Sequence, residues 1–448
     1  MGACALLERK RSQIRDGLIR QFTFIKNIVK NSLNMESNIN SIEKPYAVVF
    51  ALDSINGLQT ARILARRGIP VIGIASDPKH PCCQTKICKK IIYTDTENED
   101  VIKVLEDLSS IFDKKAVLFP CNNLEVQLVS GYRQMLENWY HIVLSDPEID
   151  GMLMNKTSFY TYARKEGFPI PRTFILHNRS DAENTVQEIV FPCILKPSTR
   201  SYEWEHNSTY KAYKVFKADE FLALYDRCES WSEELIVQEW IEGPDSNLYT
   251  CYCYFGIDSE PLVTFVTRKL RQWPPEMGEG CLGEECRNDI VLQETLRLFK
   301  SVHLRGLGYL EMKLDSRTGK YLIVEPNIGR PTSKSALAET GGVELVYTMY
   351  CDALGWELPF NREQKYRNSK WIFLRRDFLS AYYYWRRGEL TLLGWLRSLR
   401  GIKVDAMFAW NDPAPFWYDL LNSFRRYFSP QEHRKSMYRN PFPKISQK

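Results

Sequence analysis

The feature that most constrains this chain is a run of alternations beginning at residue 46. YAVVFAL (46–52) is a continuous apolar segment of buried-strand type, and DSINGLQTARILARRG follows it as turn and helix. Leu58, Ala61, Ile63, Leu64 and Ala65 give that helix an apolar face, Gly68 ends it, and IPVIGIAS supplies the next strand. KKIIYTD, a helix near 101–108 and AVLFPC continue the pattern. Strands alternating with helices require crossover connections, so a parallel sheet flanked by helices is expected over 45–147.

The chain then changes character. Past a helix carrying Lys156 and the helix-stopping segment EGFPIP, strands dominate: ILKP, ELIVQEW, TCYCYFG, PLVTFVTRKL, GYLEMKLD and KYLIVEPN, with GIDSEP and DSRTGK as hairpin turns. Runs of strands with few helices predict an antiparallel sheet in an α+β domain over 148–358. The segment 359–448 is rich in Trp, Tyr and Arg, and YYYWRRGELTLLGWLRSLRG reads as helices, either a packed appendage or a partner surface.

Charge excludes little. Sixty Lys and Arg against 55 Asp and Glu leave +5 over 448 residues, which does not call for nucleic acid. The excess collects in a basic N-terminal extension, 1–44, and a basic C-terminal tail. Residues 14–29 carry an amphipathic pattern that would suit weak membrane-surface contact. No stretch reaches the roughly 18 to 20 apolar residues of a membrane span. Twelve scattered cysteines, several inside apolar runs, fit a reducing cytoplasm, and Cys82, Cys83 and Cys88 read as free thiols in a loop.

Glu325 and Asn327 of VEPN stand two apart and therefore share a face of an extended strand, and a hairpin can bring Glu311 opposite them. Anionic oxygens on an apolar sheet face need a counter-charge. Either a hard divalent cation supplies it, or these are surface carboxylates paired with Lys313 or Arg330. Lys196 in ILKPS ends a buried strand, where it presents its charge to phosphate or simply to water. VQEWIEGPD offers an apolar face and exposed backbone to a purine, or is an edge strand. The first turn, DSINGLQTAR, has one glycine where a dinucleotide fingerprint needs three, which argues against a nicotinamide cofactor.

In their order, these pieces over about residues 46–358 resemble the ATP-grasp superfamily. The resemblance implies a Rossmann-like preATP-grasp domain, a two-lobed ATP-grasp domain and, here, a helical C-terminal extension, an α/β and α+β architecture. It makes Lys156 and Lys196 the phosphate-contacting lysines and sets Gln238 against the adenine amino group. Within the same linker, which includes Glu239, Trp240 and Ile241 lend backbone hydrogen bonds to the ring, and Asp245 binds the ribose. Glu311, Glu325 and Asn327 become ligands of Mg²⁺ or Mn²⁺, and Arg330 joins Lys196 in the phosphoryl-transfer step or contacts the substrate. Two departures stand out: no glycine occurs in STRSYEWEHNSTYKAYKV, where the family has a glycine-rich phosphate loop, and Ile328 and Gly329 separate Asn327 from Arg330. His206, Asn207, Ser208 and Lys211 are the candidates to replace that loop.

DSINGLQTARILARRGIPVIGI, TRKLRQWPP and YYYWRRGELTLLGWLRSLRG further resemble the carboxylate-amine ligase and D-aspartate ligase group. Arg268, Lys269 and Arg271 would then meet an anionic substrate or the triphosphate, or form a solvated basic edge. The implied activity is ADP-forming ligation of a small carboxylate, amino-acid-like, to an amine through an acylphosphate. A regulatory ATP-binding protein on the same fold is the alternative.

Overall fold

The structure is a computed structural model that describes residues 44–428 except 200, 209 and 277. The amphipathic pattern at 14–29 and the basic C-terminal tail lie outside the described residues.

Strands β1 (Ala47–Val49), β2 (Val71–Ala75), β3 (Lys90–Tyr93), β4 (Ala116–Phe119) and β5 (Tyr140–His141) form a parallel sheet in the order β3-β2-β1-β4-β5. Helix Ile55–Arg66 leaves β1 with Ser54 as its cap. The turn between them is tight enough to demand glycine, since a Cβ at Gly57 would stand 2.2 Å from the Ala51 carbonyl oxygen. The order reverses at β1, which lies between β2 and β4, and the loops leaving β1 and β4 are joined by Asn56 Nδ2, which donates to the Cys121 carbonyl at 3.1 Å. Cys82 and Cys83 are buried in a short turn rather than sitting in an open loop, and the Cys82 thiol lies 3.9 Å from the Met407 sulfur.

Strands β6 (Thr173–Leu176), β7 (Cys193–Pro197), β8 (Tyr213–Val215) and β9 (Leu235–Glu239) form an antiparallel sheet, β6-β9-β7-β8. The largest sheet contains β10 (Leu248–Phe255), β11 (Pro261–Trp273), β12 (Glu279–Glu285), β13 (Gly306–Leu314), β14 (Tyr321–Ile328), β15 (Ser369–Ile372) and β16 (Ile402–Asp405). Its order is β14-β13-β10-β11-β12-β15-β16, antiparallel except for the last pair. Strict alternation lets this sheet bury both faces. Cys251, Cys253 and Phe255 of β10 pack with Leu298 and Phe299 of helix Asp289–Ser301, whereas Tyr252 and Tyr254 join the core around helices Ser335–Thr340 and Leu345–Ala353.

The C-terminal segment contributes helices Leu374–Arg386, Leu392–Ser398 and Ala414–Phe428, and also β15 and β16, which enter the large sheet. These two four-residue strands were too short to be read from the pattern alone. Buried ion pairs bolt the segment down, Arg271 to Asp377 at 2.8 Å and Arg62 to Asp412 at 3.0 Å.

Candidate active site

On β7, Cys193 and Leu195 face the lobe's own core, so alternation turns Lys196 to the other face. Its ammonium donates to Gln238 Oε1 at 2.6 Å and to the Tyr160 hydroxyl at 3.3 Å. Burial pulls its pKa down to about 8, with the nearby Glu325 carboxylate of β14 opposing. Gln238 is itself pinned, its Nε2 donating to Thr173 Oγ1 at 2.8 Å. Lys156 opens helix Lys156–Lys165 behind its Asn155 cap, and its Nζ donates to the Ser198 carbonyl at 3.2 Å. Both lysines thus converge where β7 ends.

The linker after β9 differs in part from expectation. Glu239 N–H donates to the Arg172 carbonyl and Trp240 N–H to the Pro192 carbonyl, each at 3.0 Å, and the Trp240 carbonyl accepts from Arg317 at 2.8 Å. Sheet pairing therefore occupies the Trp240 backbone expected to meet a ring; Ile241 N–H has no partner among the described residues. The Trp240 indole instead supports two ammonium groups, Lys214 at 3.9 Å and Lys313 at 4.9 Å from its centroid. Asp245 is buried, accepts from Gln272 Nε2 at 2.7 Å and Glu276 N–H at 3.2 Å, and meets the Tyr384 hydroxyl. Burial raises its pKa above the ordinary carboxylate range.

The β13–β14 hairpin sets Glu311 opposite Glu325 and Tyr309 opposite Asn327. Asn327 Oδ1 accepts from Arg330 Nη2 at 2.9 Å, Arg330 Nε donates to Asn123 Oδ1 at 2.6 Å, and the guanidinium lies 5.4 Å from the Tyr309 ring centroid. Gly329 explains how an arginine three residues further on still reaches Asn327. Its φ is +71°, and a Cβ there would come within 2.7 Å of Leu144 and 2.9 Å of Val126, so the chain turns back at a point where a side chain would strain it. Two opposed carboxylates and an amide oxygen fit a hard cation that takes its remaining ligands from phosphate and water. Among the described residues, no group of three or more His, Cys, Asp or Glu could hold such an ion.

No family model matches the chain. A D-aspartate ligase of Enterococcus faecium (strain Aus0004) is 22% identical over 318 residues, 68% of this chain and 71% of that protein. A D-alanine–D-alanine ligase of Pseudomonas putida (strain GB-1) is 21% identical over 174 residues, 36% of this chain, which spans only 50% of that protein. Biotin carboxylase from Campylobacter jejuni, solved as a β-γ-ATP complex, superimposes with a TM-score of 0.58 over 73% of this chain and 75% of that one, at 14% identity. The chain has the ATP-grasp fold and is similar in sequence to carboxylate-amine ligases.

Against the ATP-grasp pattern, the glycine-free segment after β7 is built differently. It forms a six-residue helix, Tyr202–Asn207, capped by Ser201. Trp204 anchors it, buried edge-on against Trp231 and Tyr213, with its indole N–H donating to the Tyr210 carbonyl at 2.9 Å. Of the four candidates to replace the loop, Ser208 bonds the Tyr213 hydroxyl at 2.8 Å, Asn207 donates to the Glu203 carbonyl at 2.9 Å and His206 stacks on Tyr202. Lys211 lies within electrostatic reach of Glu279 on β12. Burial alone would raise Glu279, but Arg376, with Lys211 and Lys334, holds that carboxyl below its usual range.

The three basic residues of β11 part company. Arg268 pairs with Glu284 across to β12, its Nε 3.1 Å away. Arg271 is closed off in a bidentate pair with Asp377 at 2.8 and 2.9 Å, with Ser398 as a third partner. Each of these arginines therefore already has a carboxylate partner. Lys269 stays with the site: it donates to Gln272 at 3.1 Å and lies beside Lys334. A Cβ on Gly280 would meet Lys334 Nζ at 2.7 Å and Lys269 Cε at 3.4 Å. Burial, then Lys269, pulls Lys334 to about 8, while Glu311 and Glu279 oppose. Sequence reading missed Lys334, which stands in a loop with no local mark; the only signal was its place four residues beyond Arg330. The same loop reaches the parallel sheet, Ser333 N–H donating to Asn56 Oδ1 at 2.8 Å and Asn56 Nδ2 to the Cys121 carbonyl at 3.1 Å.

Proposed function

We propose that this chain joins a small, amino-acid-like carboxylate to an amine at the expense of ATP. The observation that carries the reading is the opposition of Glu311 and Glu325, with Asn327 and Arg330, across from the half-buried Lys196. A face that gathers anionic oxygens and another that gathers ammonium groups together suit a polyphosphate bearing a divalent ion. Magnesium at Glu311, Glu325 and Asn327 would neutralise part of that phosphate charge.

In the proposed reaction a substrate carboxylate oxygen attacks the γ-phosphorus, the bond to the β-phosphate oxygen breaks, and ADP leaves. The amine nitrogen then attacks the acyl carbon of the resulting acylphosphate, phosphate departs and the nitrogen loses a proton. Lys156 and Lys196 hold the phosphates at the end of β7, and the Ile241 N–H receives the base. Arg330 faces the transferring group. Lys269 and Lys334 form the cationic wall beside Glu311 that suits a substrate carboxylate. No side-chain nucleophile is needed.

ADP release measured across a panel of amino acids and small carboxylates, each with and without an amine, tests this. Release that needs both partners, and that falls by about a hundredfold or more in Glu325→Gln, is the expected result. A second reading, a regulatory ATP-binding protein, is favoured by the Trp204-anchored segment in place of a glycine-rich loop. Nucleotide binding with no substrate-dependent turnover, unaltered by Glu325→Gln, would establish it instead.

A further inference from the structure

Helix Leu374–Arg386 is inside out. Three of its polar groups face inward, Asp377 to Arg271, Ser380 to the Gln272 carbonyl at 2.9 Å and Tyr384 to Asp245. Its apolar groups face outward: Leu374, Phe378, Tyr382 and Trp385 recur at spacings of four, four and three, and Phe378 is 59% exposed. Helix Leu392–Ser398 continues the surface with Leu392, Leu393 and Leu396, and the Phe378 and Trp395 rings meet edge-on at 6.0 Å. On helix Ala414–Phe428, Trp417, Leu421 and Phe424 form another outward stripe. That helix is tied to the first by Arg375–Asp419 at 2.9 Å. Trp410, between them, is 90% exposed.

A soluble surface has no reason to hold so many Trp, Phe and Leu in water. The charges around them are one-sided. Between residues 374 and 425 the exposed charged side chains are Arg386, Arg387, Arg397, Arg400, Lys403 and Arg425, against the single carboxylate of Glu389, which Arg387 neutralises at 2.6 Å. The acidic residues Asp377, Asp412 and Asp419 are turned inward. Aromatic and aliphatic groups rimmed by arginines are the composition of helices that lie in the headgroup region of a bilayer. No helix among the described residues is long and apolar enough to cross a membrane.

We infer that the C-terminal face is a docking surface for an anionic lipid bilayer, with the apolar stripes entering the interface and the arginines meeting the phosphates. The buried ion pairs make it a preformed surface. This inference stands apart from the catalytic reading.

Co-sedimentation of the full chain with vesicles tests it, using phosphatidylcholine alone and phosphatidylcholine mixed with phosphatidylglycerol. Binding should require the anionic lipid and fall by roughly tenfold or more in a variant carrying Phe378→Ser, Trp385→Ser, Leu393→Ser and Leu396→Ser. An unchanged thermal melt would show that the variant is folded, and Arg397→Glu with Arg400→Glu, which removes no apolar contact, should weaken binding as well. Three results would overturn the inference: a dimer that these substitutions dissociate, with no vesicle binding; RNA binding without vesicle binding; or vesicle binding that survives them but is lost when Arg9, Lys10, Arg11 and Arg15 are changed to Ser.

Discussion

Lys196 shows how far the fold alters a single residue. As the end of a strand in ILKP it was legible as a phosphate contact, because period-two alternation turns it away from its lobe's core. Its proton affinity was not legible, since that depends on Tyr160, Gln238 and Glu325, which are distant in the chain. The pKa falls from an ordinary 10.5 to about 8. Between those values the folded chain binds fewer protons than the unfolded one, so this residue makes stability rise with pH across that window. Nucleotide binding should do the reverse, because the ammonium is lost as pH rises through about 8. Calorimetric affinity for a nonhydrolysable ATP analogue should therefore fall above about pH 8 in the native chain. The Lys196→Met variant should bind weakly with that limb flattened, while Lys334→Met should retain it; a flat native profile would refute the assignment. Gly329 supplies a second residue-level test. Ala there meets both a positive φ and the Leu144 and Val126 side chains, so Gly329→Ala should cost about 1–3 kcal/mol in denaturant unfolding and lower kcat by moving Arg330 off Asn327.

Among the elements, β11 reads as a basic edge strand, yet its arginines are structural. Arg271 and Asp377 are both buried, and removing one leaves the other charged without a partner. Asp377→Ala should cost about 3–5 kcal/mol, and Arg271→Met with Asp377→Leu should recover much of it, as seen in urea unfolding and a double-mutant cycle. A full loss in the double variant would show that packing, not charge, is at stake. Helix Tyr202–Asn207 depends on Trp204 in the same way. Trp204→Ala should lower stability by about 3–5 kcal/mol and raise KM for ATP more than it lowers kcat. The sequence showed that the glycine-rich loop was missing, but not what replaced it, since an aromatic anchor is recognisable only once Trp231 and Tyr213 are seen around it.

For the molecule as a whole, the C-terminal segment is structural as well as outward facing. It adds two strands to the large sheet, buries Arg62 and Arg271, and reaches Asp245 through Tyr384. A chain ending at residue 359 should therefore lose its cooperative melt by circular dichroism and aggregate on size exclusion; a folded, nucleotide-binding product would overturn that expectation. What the sequence determined by itself is what short-range periodicity encodes: the parallel alternation after residue 46, the hairpins of the antiparallel sheet, and the shared face of Glu325 and Asn327. Only the tertiary structure decided which charges meet. Lys196 faces Glu325, Lys269 lies beside Lys334, and Arg271 is claimed by Asp377, because those pairings follow from burial and desolvation between segments far apart in the chain, about which local spacing carries no information.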